Sequence, residues 1–257
     1  MRPIWTGAIG FGLVNIPVKL FSATQESNLD LDMLDKKDLS NIRFMRVNEK
    51  TGKEVPWANI VKGYLLNNKY VVLEDKDFEA ASAIKTKVIE ISDFVKEAEI
   101  KSMYYETPYY IAPEKSGLRA YALLKAALMQ TGKVGIATFV MRNKEHLAIL
   151  KATDEVMILN RLRFSEEIRD VKELELPANA AVKPAELKMA ISLINQLSGN
   201  FNVTTYKDSY TKELLKLIKA KAKGSKPAAT SLKVVHSKAK DLMAQLKESL
   251  TKSKKAS

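Results

Sequence analysis

The first half of the chain alternates apolar and polar residues with the period of a β-strand. In residues 13–21, Val14, Ile16, Val18 and Leu20 share one face, because alternate residues of a strand point to opposite sides. Pro17 has no N–H to donate, which indicates a sheet edge or a ladder position that needs no donor. Further strands are predicted at residues 70–74, 84–91, 100–105, 109–112, 134–142, 147–152 and 156–159. Many short strands predict a barrel or a sandwich, with a hairpin at 134–152.

Helical spacing interrupts this pattern once and then dominates the last third. Residues 117–131 carry a stripe that predicts a core-facing helix, and Gly132 predicts its end; the stripe is Leu118, Tyr121, Ala122, Lys125, Leu128 and Met129. Pro177 and Pro184 bound a predicted linker. Stripes at 187–197 and 210–218 then predict two helices, the second running to 222. Beyond a Gly-, Pro- and Ser-containing linker at 223–231, a further amphipathic helix is predicted at 232–250.

Composition favours a soluble globular protein. The chain is 46% hydrophobic and 28% charged, and it lacks both a run of 18 apolar residues and the features of a signal peptide. It has no cysteine, which excludes disulfides, thiolate metal sites and cysteine nucleophiles and fits a reducing cytoplasm.

Charge is unevenly distributed along the chain. Residues 207–257 hold 14 Lys and four acids, a net charge of +10 out of +12 for the whole chain. A basic tail on a nearly neutral body indicates a polyanionic partner, nucleic acid before membrane, although a solubilising tail remains an alternative.

Candidate catalytic chemistry is sparse. The only histidines are His146 and His236, too few for a triad or a histidine metal site. The glycine-rich run 7–12 has the wrong spacing for a nucleotide loop, so we interpret it as close backbone packing or a bulge in the first strand. Asp30, Asp32, Asp35 and Asp38 lack the glycine and the terminal glutamate of a calcium loop and indicate a solvated acidic loop. We therefore assign no catalytic residue, metal ligand or cofactor.

Several motifs together resemble the bacterial Ku family. Residues 1–20, MRPIWTGAIGFGLVNIPVKL, carry the longest match, followed by GKEVPW at 52–57, IVKGY at 60–64 and YYIAPEK at 109–115. Shorter matches are YALL at 121–124, RLRF at 161–164, LI at 193–194 and YKDSY at 206–210. They occur in order and with family-like spacing over roughly residues 1–224.

The resemblance implies a homodimeric ring built on a β-barrel, mainly β with some α, whose arms encircle duplex DNA. It implies a core at residues 1–184 that contains the arm, or bridge, at about 28–69. A helical segment at 185–222 would make dimer and ligase contacts, and a lysine-rich extension would occupy 223–257. The implied function is binding of double-stranded DNA ends and recruitment of the multifunctional ATP-dependent end-joining ligase in non-homologous end joining, in the cytoplasm at the nucleoid.

Bases spread along an extended segment can follow a phosphate backbone without reading sequence. The predicted DNA-binding residues are Lys36, Lys37, Arg43, Arg46, Lys50, Lys53, Lys62, Lys69, Arg142, Lys144, Lys219, Lys221, Lys223 and Lys226. The predicted partner-binding residues are Ile194, Leu197, Tyr206, Tyr210, Leu214, Leu217 and Ile218, for which packing within the chain is the alternative.

Two other functions stay open. A general architectural protein that compacts DNA with a basic tail would bind circular and linear DNA alike. A metal-dependent nuclease would depend on acidic residues such as Asp30 and Asp32, and the sequence favours it least.

Overall fold

The computed structural model describes residues 1–81, 87–174 and 182–224, together with Ser249. The chain divides into two compact units. The first comprises Met1–Glu26 and Asp30–Glu173, and the second comprises Ser27–Leu29 and Leu174–Ser257.

The first unit is built on a closed barrel of seven strands. These are β1 (Trp5–Phe11), β2 (Val14–Ser22), β5 (Val88–Lys96), β6 (Tyr105–Pro113), β7 (Lys133–Met141), β8 (Lys144–Ala152) and β9 (Met157–Leu162). Their order around the barrel is β1-β2-β6-β9-β8-β7-β5. Neighbours are antiparallel except β1 and β5, whose parallel pairing of Ala8 with Val88 closes the barrel. The prediction of a mainly β chain built on a barrel is confirmed.

Alternation along the strands produces the core. On β7 the side chains of Ala137 and Phe139 are buried, and neighbouring strands supply Ile and Leu side chains such as Leu150 and Leu159. A helix, α2 (Leu118–Thr131), adds Tyr121, Leu124 and Leu128 to this core. The Tyr121 hydroxyl donates to the Ile111 carbonyl and accepts from the Met157 amide, each at 2.9 Å. It thereby links β6 to β9 inside the protein.

Between β2 and β5 the chain leaves the barrel as an excursion. From here on, the arm means residues 30–81 of this excursion, a segment longer than the bridge at about 28–69 that the resemblance implies. It contains a two-stranded sheet, β3 (Lys62–Leu66) and β4 (Lys69–Leu73), and the helix α1 (Asp75–Ala81). No residue of the arm is buried. The arm is therefore held by local turns and backbone pairing, without a core of its own.

The second unit contains two described helices, α3 (Pro184–Leu197) and α4 (Ser209–Ala222). Pro184 occupies the first turn of α3, where its missing N–H costs no hydrogen bond. Asp208 caps α4 by accepting from the Thr211 amide at 3.1 Å. Both helices match their predicted positions. The helix predicted at 232–250 lies outside the described residues, apart from Ser249.

Several predicted details are wrong. Residues 100–105 do not form a strand: they contain a 3-10 turn at Ser102–Tyr104, and β6 begins only at Tyr105. On α2 the buried face includes Leu124, whereas Leu118 and Met129 are exposed. The predictions also lacked β3 and α1.

Of the two positions that Pro17 allowed, the sheet edge is excluded. Strand β2 pairs with both β1 and β6, and its ladder with β6 begins one residue later, at Val18. Pro17 therefore lies where the second ladder needs no donor.

Candidate nucleic-acid interface

Two tight loops in the middle of the arm present pairs of lysines. In the loop 35–40, the Asp35 side chain accepts from the Lys37 amide at 2.8 Å, and Lys36 lies beside it. In the loop 48–53, the Asn48 side chain accepts from the Lys50 amide at 3.0 Å, and Lys53 follows Gly52, whose φ is 65°. The loops are held by backbone amides, so the lysine side chains are left for solvent or a ligand.

The first loop is also stabilised by a second carboxylate. Hydrogen bonds from the Ser40 amide and hydroxyl hold the pKa of the Asp38 carboxyl below its ordinary value. Asp38 is therefore a negative charge beside Lys36 and Lys37 at neutral pH.

Two other bases of the arm rest on aromatic rings. The Arg46 guanidinium lies 4.4 Å from the centre of the Trp57 ring, and the Lys62 ammonium lies 4.6 Å from the centre of the Phe78 ring. Such cation–π contacts orient a base without neutralising it. Arg43 and Lys69 are exposed.

Charge is segregated along the arm. Residues 36–69 carry eight Lys or Arg against three Asp or Glu, a net charge of +5. The flanking residues 30–35 and 70–81 are acidic, with seven Asp or Glu and one Lys. Within the described residues, none of the eight bases has a carboxylate within 4.0 Å. Along the sequence, the middle of the arm is therefore positive and its two flanks are negative.

The same arm exposes much apolar surface. Phe44 is 81% exposed, Tyr70 is 74% exposed and Trp57 is 71% exposed. On the β3–β4 sheet, Leu65 lies opposite Tyr70 and both are exposed. Large exposed apolar side chains concentrated in one segment of the chain favour an interaction face there.

The predicted barrel bases Arg142 and Lys144 belong to the β7–β8 hairpin. Met141 pairs with Lys144, so Arg142 and Asn143 form a two-residue turn, shorter than the predicted connection at 143–146. Both predicted bases are exposed, and the Lys144 ammonium lies 3.9 Å from a Glu167 carboxylate oxygen.

The remaining predicted residues lie in the second unit. Lys219, Lys221 and Lys223 are exposed at the end of α4, while Lys226 lies outside the described residues. The predicted partner-binding residues Ile194, Leu197, Tyr206, Tyr210, Leu217 and Ile218 are exposed, and Leu214 is half-buried.

Comparison with known proteins identifies the family. Residues 10–189 match the family described as the Ku70/Ku80 beta-barrel domain. The chain belongs to the Ku family. It is 41% identical over 254 residues to the non-homologous end joining protein Ku of Opitutus terrae, covering 97% of this chain and 91% of that protein. It is 36% identical over 262 residues to the protein of the same name from Coxiella burnetii, covering 99% and 96%.

Sequence reasoning missed His146 and Arg161 as site residues on this Ku barrel. Both line a cleft together with the predicted bases Arg142 and Lys144, although Arg161 is far from the other three in sequence. Only the strand register brings them together, so no local motif could have found them. Among the described residues, no three His, Cys, Asp or Glu side chains form a metal-binding group. The described helices include none with the length and apolar character needed to cross a bilayer.

Proposed function

We propose that this Ku-family chain forms a homodimeric ring that binds ends of double-stranded DNA without sequence specificity. In this proposal the ring catalyses no reaction itself and acts in non-homologous end joining at the nucleoid in the cytoplasm. There it recruits the multifunctional ATP-dependent end-joining ligase. Family membership and the names of the relatives support it.

The observation that carries the proposal is the positive middle of the arm. Its eight exposed bases lie in loops and on a two-stranded sheet, with no described α-helix placed among residues 36–69 to enter a major groove. Contacts from such a surface to DNA phosphates give affinity without reading the nucleobase sequence.

Enclosure would explain a preference for ends. A closed ring leaves a linear duplex only by sliding off its end and cannot load onto a closed circle. The test compares binding to blunt linear DNA, to linear DNA with both ends blocked by bulky hairpins, and to relaxed circles of equal length. Strong binding to the open linear DNA alone is expected. Equal binding to circles would contradict the proposal and favour a general DNA-compacting protein.

Uncovered apolar surface on the arm supports a homodimer. Leu65 and Val72 lie on one face of the β3–β4 sheet, and both are exposed in the single chain. Replacing both by Lys should leave the barrel folded and yield monomers in analytical ultracentrifugation. A folded double variant that still sediments as a dimer would exclude this face from the dimer contact.

Exposed apolar residues of the second unit support a ligase contact there. Leu217→Glu combined with Ile218→Glu should abolish capture of the purified end-joining ligase while leaving DNA-end binding intact. Capture at the wild-type level would remove α4 from the ligase contact.

A further inference from the structure

One end of the barrel interior is polar. On β2 and β8 the apolar inward series continues to a polar residue at this end: Leu20 is followed two residues later by Ser22, and Ala148 is preceded two residues earlier by His146. Strand register shows that the side chains of His146 and Arg161 point to the barrel interior, because His146 pairs with the buried Phe139 and Arg161 pairs with the buried Ala148. Cross-strand partners share one face of a sheet.

These residues surround an open cleft that we call the rim cleft. Its volume is about 460 Å³, enough for a small anion with its waters. The lining residues are Ile4, Ser22, Thr107, Tyr109, Met141, Arg142, Lys144, His146 and Arg161. Strand β2 ends at Ser22, so the cleft lies where the chain leaves the barrel towards the arm.

The balance of charge at the rim cleft is positive. Arg161 is 2.7 Å from Glu106, and Arg163 is 3.4 Å from the same carboxylate. The lining itself holds three bases, Arg142, Lys144 and Arg161, and no carboxylate. Glu167, which does not line the cleft, lies 3.9 Å from Lys144. The Arg161 Nε–H is buried and has no acceptor among the described residues. The guanidinium therefore retains donor capacity after pairing with Glu106.

Arg142 has a left-handed backbone conformation that favours asparagine or glycine over arginine. Arg142 and Asn143 have φ values of 54° and 61°, as a type I′ hairpin turn requires. The β3–β4 hairpin fills the two corresponding positions with Asn67 and Asn68, at 48° and 62°. Asparagine tolerates this left-handed region better than arginine does. An arginine here places a positive charge over the cleft at a conformational cost that asparagine would avoid.

His146 adds a titratable group inside the cleft and is only 9% exposed. Burial, then the positive charge of Arg161, holds its pKa below the ordinary value, and Lys144 acts in the same direction. A hydrogen bond to the Met141 backbone and the charge of Glu106 oppose this. An anion near these groups would reverse the repulsion and favour the imidazolium form.

We propose that the rim cleft binds one phosphate group, with Arg142, Lys144 and Arg161 supplying charge and His146 positioned to donate to the anion when protonated. On DNA, the phosphate belongs to the duplex backbone beside the barrel, a role that rests on the proposed function. The anion site itself does not depend on DNA-end binding.

The first experiment measures the site without DNA. Sulfate serves as the probe because it stays a dianion while histidine titrates, and sodium chloride at equal ionic strength is the control. The full chain has two histidines, so His146→Gln assigns their NMR signals. Sulfate should raise the pKa of His146, and a rise of about one unit corresponds to about tenfold tighter sulfate binding at low pH. A His146 pKa that sulfate moves no more than chloride does would overturn the proposal.

The second experiment uses a variant that should keep the fold. Arg142→Asn suits the turn conformation, and the matched control Arg119→Gln removes an exposed arginine from α2. Arg142→Asn should weaken sulfate binding about tenfold and lower the salt dependence of duplex binding by about 0.9 in log–log slope per chain. Arg119→Gln should change neither. Equal effects of the two variants would overturn the site.

The two proposals can fail separately. If sulfate binds as expected but the protein shows no preference for DNA ends, the ring function fails and the anion site stands. If end preference holds but Arg142→Asn leaves sulfate binding unchanged, the rim cleft is excluded and the ring function stands.

Discussion

The lysine loops of the arm allow a quantitative test of DNA contact. Lys36, Lys37, Lys50 and Lys53 are exposed, and the hydrogen bonds that hold their loops use backbone amides. Replacing all four by Gln therefore removes four charges and leaves the loop geometry in place. If each lysine neutralises one phosphate, the slope of log K against log salt falls in magnitude by about 3.6 per chain, and by about 7 when two arms engage. With one arm engaged, doubling the salt concentration would then reduce the binding constant of wild type by a factor about twelve times larger than that of the variant.

The assay is fluorescence anisotropy on a short blunt duplex over a series of salt concentrations. The control replaces Lys96, Lys101, Lys115 and Lys133 by Gln, which are exposed lysines outside the arm. Circular dichroism and thermal unfolding verify that both variants are folded. A slope equal to that of wild type, or an equal loss in both variants, would refute DNA contact by the arm loops.

Three further predictions concern the barrel. Tyr121→Phe leaves two buried backbone groups without a partner and should lower the free energy of unfolding by about 2 kcal/mol in urea titration; unchanged stability would contradict the bridging role. Gly7→Ala would place a methyl group against the Lys87 carbonyl and should cost about 1–3 kcal/mol, so a wild-type melting curve would contradict this packing. The pKa of His146 is lowered from 6.5, so the unfolded chain binds the proton more tightly and stability falls as pH drops below about 6.5. The His146→Gln variant should lose less unfolding free energy than wild type as the pH falls below about 6.5. An identical loss in both would show that His146 does not cause this pH dependence.

Strong local patterns predicted the elements that local forces determine. The β7–β8 hairpin follows from clear alternation on both sides of a polar turn, and α2 follows from its stripe and Gly132, which adopts a φ of 62°. The glycine-rich run 7–12 was interpreted as backbone packing or a bulge. Most of it is strand β1, in which Gly7 packs closely on the Lys87 carbonyl, so the packing interpretation is confirmed.

Tertiary contacts decided what the sequence could not. Residues 100–105 have apolar side chains that suit a strand, yet Ile100 and Tyr104 pack on the small cluster around Val134, Ile149 and Leu162 from the 3-10 turn and its flank. Barrel closure pairs Ala8 with Val88, which are separated in the sequence by β2 and the whole arm. No local pattern encodes so distant a pairing. The rim cleft depends on the same long-range register.

The arm is joined to the barrel at both of its ends, through β2 and through β5. It is therefore an internal segment that is covalently attached at both ends, whereas a terminal tail is attached at only one. A single proteolytic cut between residues 30 and 81 would leave all seven barrel strands covalently whole and hydrogen-bonded. The same cut would break the only stretch of arm that joins β2 to β5 through the chain, so barrel integrity and arm continuity can be perturbed separately.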